Sequence, residues 1–168
     1  MISERMKRLF RESRFMAFTI VPYWLILLGL TSKVLPKTEW VLCVYIIALL
    51  CLYASMVHVV AVYLEPQQRG GEMGALALFF ITSVLLVGGF GIAWDVFKNF
   101  AAANSNALPS EIDAFYFSVV AFTTLGFGDF VPINNAGKIL VSIEALMGAT
   151  HMVAFFSIVV GRVKSKMC

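Results

Sequence analysis

Four apolar runs, separated by polar joints, decide what this chain can fold into. Residues 40–64 are interrupted by His58, 74–97 carry Asp95 near their end, and 139–160 contain Glu144 and His151. The first run, 15–30, is shorter and includes Pro22. A bilayer core about 30 Å thick takes about 20 apolar helical residues. The last three runs reach that length directly, and the first does so with a turn taken from its flanks. With 60% of its 168 residues hydrophobic and 14% charged, the chain reads as a membrane protein and not as a soluble domain.

The joints set the orientation. Arg5, Lys7, Arg8, Arg11, Arg14, Arg69, Arg162, Lys164 and Lys166 fall on one side of a four-span arrangement, nine of the thirteen basic residues. The positive-inside rule makes that side cytoplasmic, with both termini on it. Reading the first run as non-spanning would strand the N-terminal cluster outside. No small-x-small cleavage site follows that run, so it reads as a retained helix and not as a signal peptide. The net charge of +3 reports topology, with no nucleic-acid binding implied. Cys43 and Cys51 lie eight apart on one expected helix, too far to bridge each other. Cys168 lacks a prenylation motif, and no disulfide framework is expected.

Residues 1–14 place Ile2, Met6, Leu9 and Phe10 on one helical face against Arg and Glu. That pattern suits an amphipathic segment in the cytoplasmic interface, with a solvated basic tail as the alternative. Residues 15–66 read as a peripheral transmembrane hairpin with a short outer turn. It bears no arginine ladder and so is not a voltage sensor. It either packs as a lipid-facing collar or senses lipid or tension. The joint "EPQQRGGE" (65–72) separates it from a second unit, 74–168.

Some forty residues lie between the third and fourth runs, which is long for a joint without a task. They contain a helix of their own. Pro109, Ser110 and Asp113 form a capping-box start, and "AFYFSVVAF" continues unbroken to Thr123 and Thr124. Roughly thirteen residues at about 1.5 Å each reach only part-way through a bilayer. "TLGFGD" follows at once. If 124–128 are extended, Gly126 and Gly128 allow positive φ at two alternate positions. Alternating handedness then turns the carbonyls of Thr124, Leu125, Gly126 and Phe127 to one side. Rings of such oxygens from several copies replace the water shell of a monovalent cation, an arrangement for which potassium-channel filters are the known example. The Thr124 hydroxyl adds the innermost ring, and Asp129 makes the outer mouth acidic. The C-terminal end of the half-length helix turns its partial negative charge to the ion.

Residues 114–129, "AFYFSVVAFTTLGFGD", resemble the tetrameric potassium channels, whose signature reads T-x-G-[YF]-G-D after a pore helix. Pro132, Gly137 and Lys138 continue the likeness, and Gly148 falls at the family's glycine gating hinge. The resemblance covers about 110–162, with 74–97 placed as outer helix by position. It implies an all-α membrane protein of four transmembrane helices plus a re-entrant pore helix and selectivity filter. It also implies a fourfold homotetramer in lipid, with 74–168 as the ion-channel pore domain. The implied function is passive, potassium-selective conduction across a cell membrane, with K+ as permeant ion, no cofactor and no enzyme activity.

The chain departs from that family in places. Phe127 stands where tyrosine is usual, and Phe117 where tryptophan is frequent, so the hydrogen bond between them is lost. A less rigid outer filter is expected. Val120 takes a position where some members carry a glutamate, which leaves Asp129 to the Tyr116 hydroxyl. Leu125 replaces valine and changes the packing behind the filter. Filter support is assigned to Tyr116, Phe117, Thr123 and Glu144, and hinge and cavity to Gly148, Thr150 and His151.

Several of these residues carry two readings. Glu144 either braces the back of the pore helix, the favoured reading, or faces the ion cavity. His151 either lines that cavity with Thr150, making gating pH-sensitive, or is satisfied between helices, the favoured reading. His58 reads as packing. "GGFG" (88–91) echoes the filter but lacks its threonines and half-helix, and reads as small residues for close helix packing. No Cys/His/acid cluster marks a metal site other than for K+. No cytoplasmic regulatory domain is expected after Arg162. The rival functions are a weakly selective cation channel and a non-conducting accessory membrane protein with a vestigial pore loop.

Overall fold

The computed structural model describes residues 23, 25–26, 28–29, 35–63, 71–104 and 108–167. The amphipathic segment 1–14, most of the first apolar run and the joint at 64–70 lie outside the described residues. The chain divides into two compact units, Met1–Gly71 and Glu72–Cys168.

In the first unit, helix α1 runs from Glu39 to Tyr63. The Thr38 carbonyl opens it, accepting from the Val41 and Leu42 amides at 3.1 Å each. Tyr23, Leu25, Ile26, Leu28 and Gly29 of the first run are helical. The buried hydroxyls of Tyr23 and Tyr45 lie 3.4 Å apart, so each polar tip has a partner inside an apolar surround. Gly29 makes room for Leu35, whose side chain comes within 2.7 Å of where a Cβ would sit.

The second unit begins with helix α2, Gly71–Phe97, followed by strand β1, Phe100–Ala102. Helix α3, Glu111–Phe122, strand β2, Phe130–Pro132, and the long helix α4, Asn135–Met167, complete it. Among the described residues, three helices are long and apolar enough to cross a membrane, over Glu39–His58, Phe79–Phe97 and Asn135–Ser157. The expected fourth span falls on the run that is largely outside the described residues. Helix α3 has 12 residues, about 18 Å, and is too short to span.

The mostly helical fold fits the all-α expectation and adds one short ribbon. Strands β1 and β2 pair antiparallel in the register Phe100↔Pro132, Ala101↔Val131, Ala102↔Phe130. Three residues are too few to show a period of two. The pairing arises instead from the need of a loop packed against protein to satisfy its amides. Asn134 ties this ribbon to α4. Its side-chain oxygen accepts from the Gly137 amide at 2.7 Å, and its nitrogen donates to Asn99 Oδ1 at 2.9 Å. A Cβ on Gly137 would lie 2.4 Å from the Asn99 carbonyl oxygen, so the close approach requires glycine there.

Aromatic rings hold the outer end together. Phe117 of α3 stacks on Phe100 of β1 at 5.2 Å and meets Trp94 of α2 edge-on at 4.8 Å. Phe100 also contacts Phe130 at 5.7 Å. Each such pair contributes about 0.5–1.5 kcal/mol beyond its buried area, which suffices to fix α3 between α2 and the ribbon.

Candidate pore loop and its supports

Helix α3 starts on a complete capping box. The Ser110 hydroxyl accepts from the Asp113 amide at 3.2 Å, and the Asp113 carboxylate accepts from the Ser110 amide at 2.8 Å. That backbone bond, with a second from the Ser110 hydroxyl, holds the Asp113 carboxyl below its ordinary aspartate range. The far end closes without a further helical turn. Thr123, Thr124 and Leu125 amides donate to the carbonyls of Val119, Ala121 and Val120, each at 3.0 Å. The Thr123 hydroxyl adds a bond to the Val119 carbonyl at 2.6 Å. These bonds start the next stretch at a defined point and direction.

From there the backbone alternates. Thr124, Gly126 and Gly128 have φ of 58°, 57° and 77°, while Leu125 and Phe127 do not enter the positive region. Two alternate positions were expected and three are found. Thr124 takes the left-handed conformation although it carries a β-branch, which is strained for such a residue. All six residues from Thr124 to Asp129 are exposed along the single chain, with Leu125 at 60% and Phe127 at 65%. Beyond them the Asp129 carbonyl accepts from the Ala103 amide at 2.8 Å, tying the loop to the chain beyond β1. Hydrogen bonding to the Asp129 carboxylate pushes the Tyr116 hydroxyl above its ordinary value.

The remaining site residues sit behind this loop. Glu144 is buried, its carboxyl group lying 2.8 Å from the Trp94 indole nitrogen and 2.5 Å from the Ser118 hydroxyl oxygen. It lies against α2 and α3, away from any open face. Phe117 is taken up by Trp94 and Phe100. Gly148 lies within the unbroken α4 and touches the end of α3. A Cβ there would fall 1.8 Å from the Phe122 carbonyl oxygen. Thr150 is exposed, and its hydroxyl donates to carbonyls of its own helix.

His151 lies between α4 and α2, on a different face of α4 from Thr150. It is buried, lies 2.9 Å from the Ser83 hydroxyl through Nε2, and stacks on Phe79 at 3.9 Å. One residue along a helix turns a side chain by about a quarter of the circumference, enough to move His151 from Thr150's face to α2's. It forms part of an apolar side pocket of about 490 Å³ with Phe79, Phe115, Val119 and Phe122. Gly91, within "GGFG", accommodates the Phe115 ring, whose nearest atom would lie 2.8 Å from a Cβ. Among the described residues, no group of three or more His, Cys, Asp and Glu side chains is placed to hold a metal ion.

Trp94 and Ser118 are the functional candidates that the sequence reading left without a role. Their signal was present, since a hydroxyl or an indole N–H inside an apolar helix needs a partner, and Glu144 had to find one.

A family model described as an ion channel matches residues 76–165, more than half of the chain and nearly all of the second unit. The chain belongs to this ion channel family. Within this chain, a stretch of 77 residues is 40% identical to the potassium voltage-gated channel subfamily A member 2 of Xenopus laevis. It covers 46% of this chain and 14% of that protein. A stretch of the same length is 38% identical to subfamily A member 6 of Homo sapiens, with the same two shares. Over 54 residues the chain is 41% identical to two-pore potassium channel 4 of Arabidopsis thaliana, 32% of this chain and 19% of that one. No solved structure matches it. Family and apolar helices together make the chain a membrane protein.

Proposed function

We propose that this chain conducts potassium passively and selectively across a membrane, as one of four identical copies around a central axis. The observation that carries the reading is the alternation of left-handed backbone at Thr124, Gly126 and Gly128, directly after a capped half-length helix. Carbonyls of Thr124, Leu125, Gly126 and Phe127 would line the ion path and take the place of its water. Gly128 gives the outer filter its turn, and Asp129, oriented beside Tyr116, concentrates cations at the mouth. Thr123, Phe117 and Glu144 support the filter from behind. Gly148 serves as the hinge of the inner helix α4, with Thr150 on the cavity side. The potassium channels among its relatives support the choice of ion.

In this reading α2 is the outer helix, 74–168 is the pore domain, and 15–66 is a peripheral hairpin. Both termini are cytoplasmic, with 1–14 at the interface. A second reading, a weakly selective cation channel, is favoured by one observation. Phe127 has no hydroxyl, and Phe117 is committed to a ring stack, so no side-chain hydrogen bond joins them.

Reversal potentials separate the two. Purified protein in a planar bilayer is placed under opposed potassium and sodium gradients. Selective conduction gives a reversal near the potassium equilibrium potential. Robust current reversing near zero establishes the second reading. A fully inserted protein with no current under any gradient overturns both in favour of an accessory role.

A further inference from the structure

Ser118 sits between two oxygen atoms and has one hydrogen to give. Its hydroxyl oxygen lies 2.9 Å from the Val87 carbonyl of α2 and 2.5 Å from Glu144 Oε1 of α4. A carbonyl and an ionised carboxylate are acceptors only. If Glu144 were ionised, Ser118 would donate to one of them. The other would face the hydroxyl oxygen at hydrogen-bond distance with no hydrogen between. Ser118 and Glu144 are both fully buried, so water does not screen that contact. Leaving a buried polar contact unmade costs more than a formed one contributes. An isolated carboxylate at this depth adds the cost of an unpaired charge within the bilayer.

One assignment of hydrogens satisfies every atom. Glu144 carries a proton on Oε1 and donates it to Ser118, and Ser118 donates to the Val87 carbonyl. The Trp94 N–H donates to Oε2, the remaining carbonyl oxygen of the acid, at 2.8 Å. Among the described residues, no charged side chain enters this network. Asp95, next to Trp94 in α2, is bonded to Lys98 at 2.5 Å, and Asp113 of α3 is held in its capping box.

We propose that Glu144 is a neutral carboxylic acid whose directed chain, Glu144 to Ser118 to Val87, fastens the pore helix to both long helices. That makes Glu144 a positioning residue for the filter that follows α3. The positioning role rests on the function proposed above, whereas the proton itself does not. The chain is directional. It tolerates an amide, whose nitrogen donates to Ser118 and whose oxygen accepts from Trp94, but not a side chain lacking the donor.

Infrared difference spectroscopy on the purified, membrane-reconstituted protein at pH 7 reads the proton directly. The expected result is a carboxylic-acid carbonyl band in wild type that is absent from Glu144→Gln. In Ser118→Ala the band persists but moves to higher frequency, because the acid has lost its acceptor. A wild-type minus Glu144→Gln spectrum containing only carboxylate bands overturns the proposal, as does a band indifferent to Ser118→Ala. Glu144→Gln also keeps the wild-type unfolding temperature, so loss of signal is not loss of fold. None of these readouts needs a current, so a chain that fails to conduct leaves this inference standing or falling by itself.

Discussion

Gly148 and Gly126 need glycine for different physical reasons, and substitution separates them. A methyl on Gly148 meets the Phe122 carbonyl oxygen at 1.8 Å, and that oxygen belongs to backbone that cannot rotate away. Overpacking of this kind costs about 1–3 kcal/mol. Gly148→Ala is therefore expected to lower the unfolding temperature of the purified protein, as measured by a thermal melt in detergent. At Gly126 a Cβ would meet nothing within 4 Å, but the backbone sits at φ +57°. An L-residue there is strained by about 1–2 kcal/mol, relieved by local rotation of the peptide that carries a proposed ion-facing carbonyl. Gly126→Ala is expected to leave the melt nearly unchanged and to move the reversal potential toward zero. Equal melting losses in both variants, with selectivity kept in Gly126→Ala, would overturn this division of roles. Trp94 offers a third test at the same scale. Trp94→Phe keeps a ring against Phe100 and Phe117 but removes the N–H that bonds Glu144. The expected loss is about 1–3 kcal/mol of stability, read from the same melt.

Helix α3 is the element whose start is titratable. Asp113 holds its proton more weakly in the folded chain than unfolded, because the folded chain offers it the Ser110 amide and hydroxyl. The sign follows from that difference. Its contribution is fully present above the ordinary aspartate value of about 3.9 and is lost as pH falls through the lower folded value. Protection of the first-turn amides of α3 against exchange, relative to their intrinsic rates, should therefore fall on acidification below about pH 4. Asp113→Asn should abolish that pH dependence, and an unchanged profile would assign the titration to another group. Ser110→Ala removes the hydroxyl's half of the box, leaving the backbone amide bond to Asp113, and should cost about 0.5–2 kcal/mol at neutral pH. This element was legible beforehand because its cap, apolar run and terminating glycines are local signals. The ribbon beside it was not. Phe100–Ala102 and Phe130–Pro132 lie some thirty residues apart, and three residues carry no period. His151 shows the same limit at finer grain. Its position in the helix was readable, but which face it presents depends on Ser83 and Phe79 of another helix. Glu144 was legible as a residue in need of a partner, while Trp94 and Ser118 required the fold.

A single chain leaves residues 124–129 exposed, and with them the Ile112, Phe115, Tyr116 and Val119 face of α3. An apolar face beside a strained, exposed backbone is what a symmetric assembly would cover, and rings of carbonyl oxygen exist only if several copies meet at an axis. The number of copies can be read from conduction itself. Wild-type and Gly126→Ala chains are mixed in equal amounts while unfolded or during synthesis, so that they assemble at random. If one altered chain spoils the filter, the selective current that survives is the share of assemblies with none. For four copies that share is about one sixteenth, for two about a quarter, and for independent chains about a half. The expected outcome is the first, counted on single channels at matched protein levels: about one in sixteen reverses at the potassium potential and the others reverse nearer zero. A loss no greater than one half would mean that each chain conducts alone. The exposed loop would then face a path that a single copy encloses, and the fourfold reading would fall.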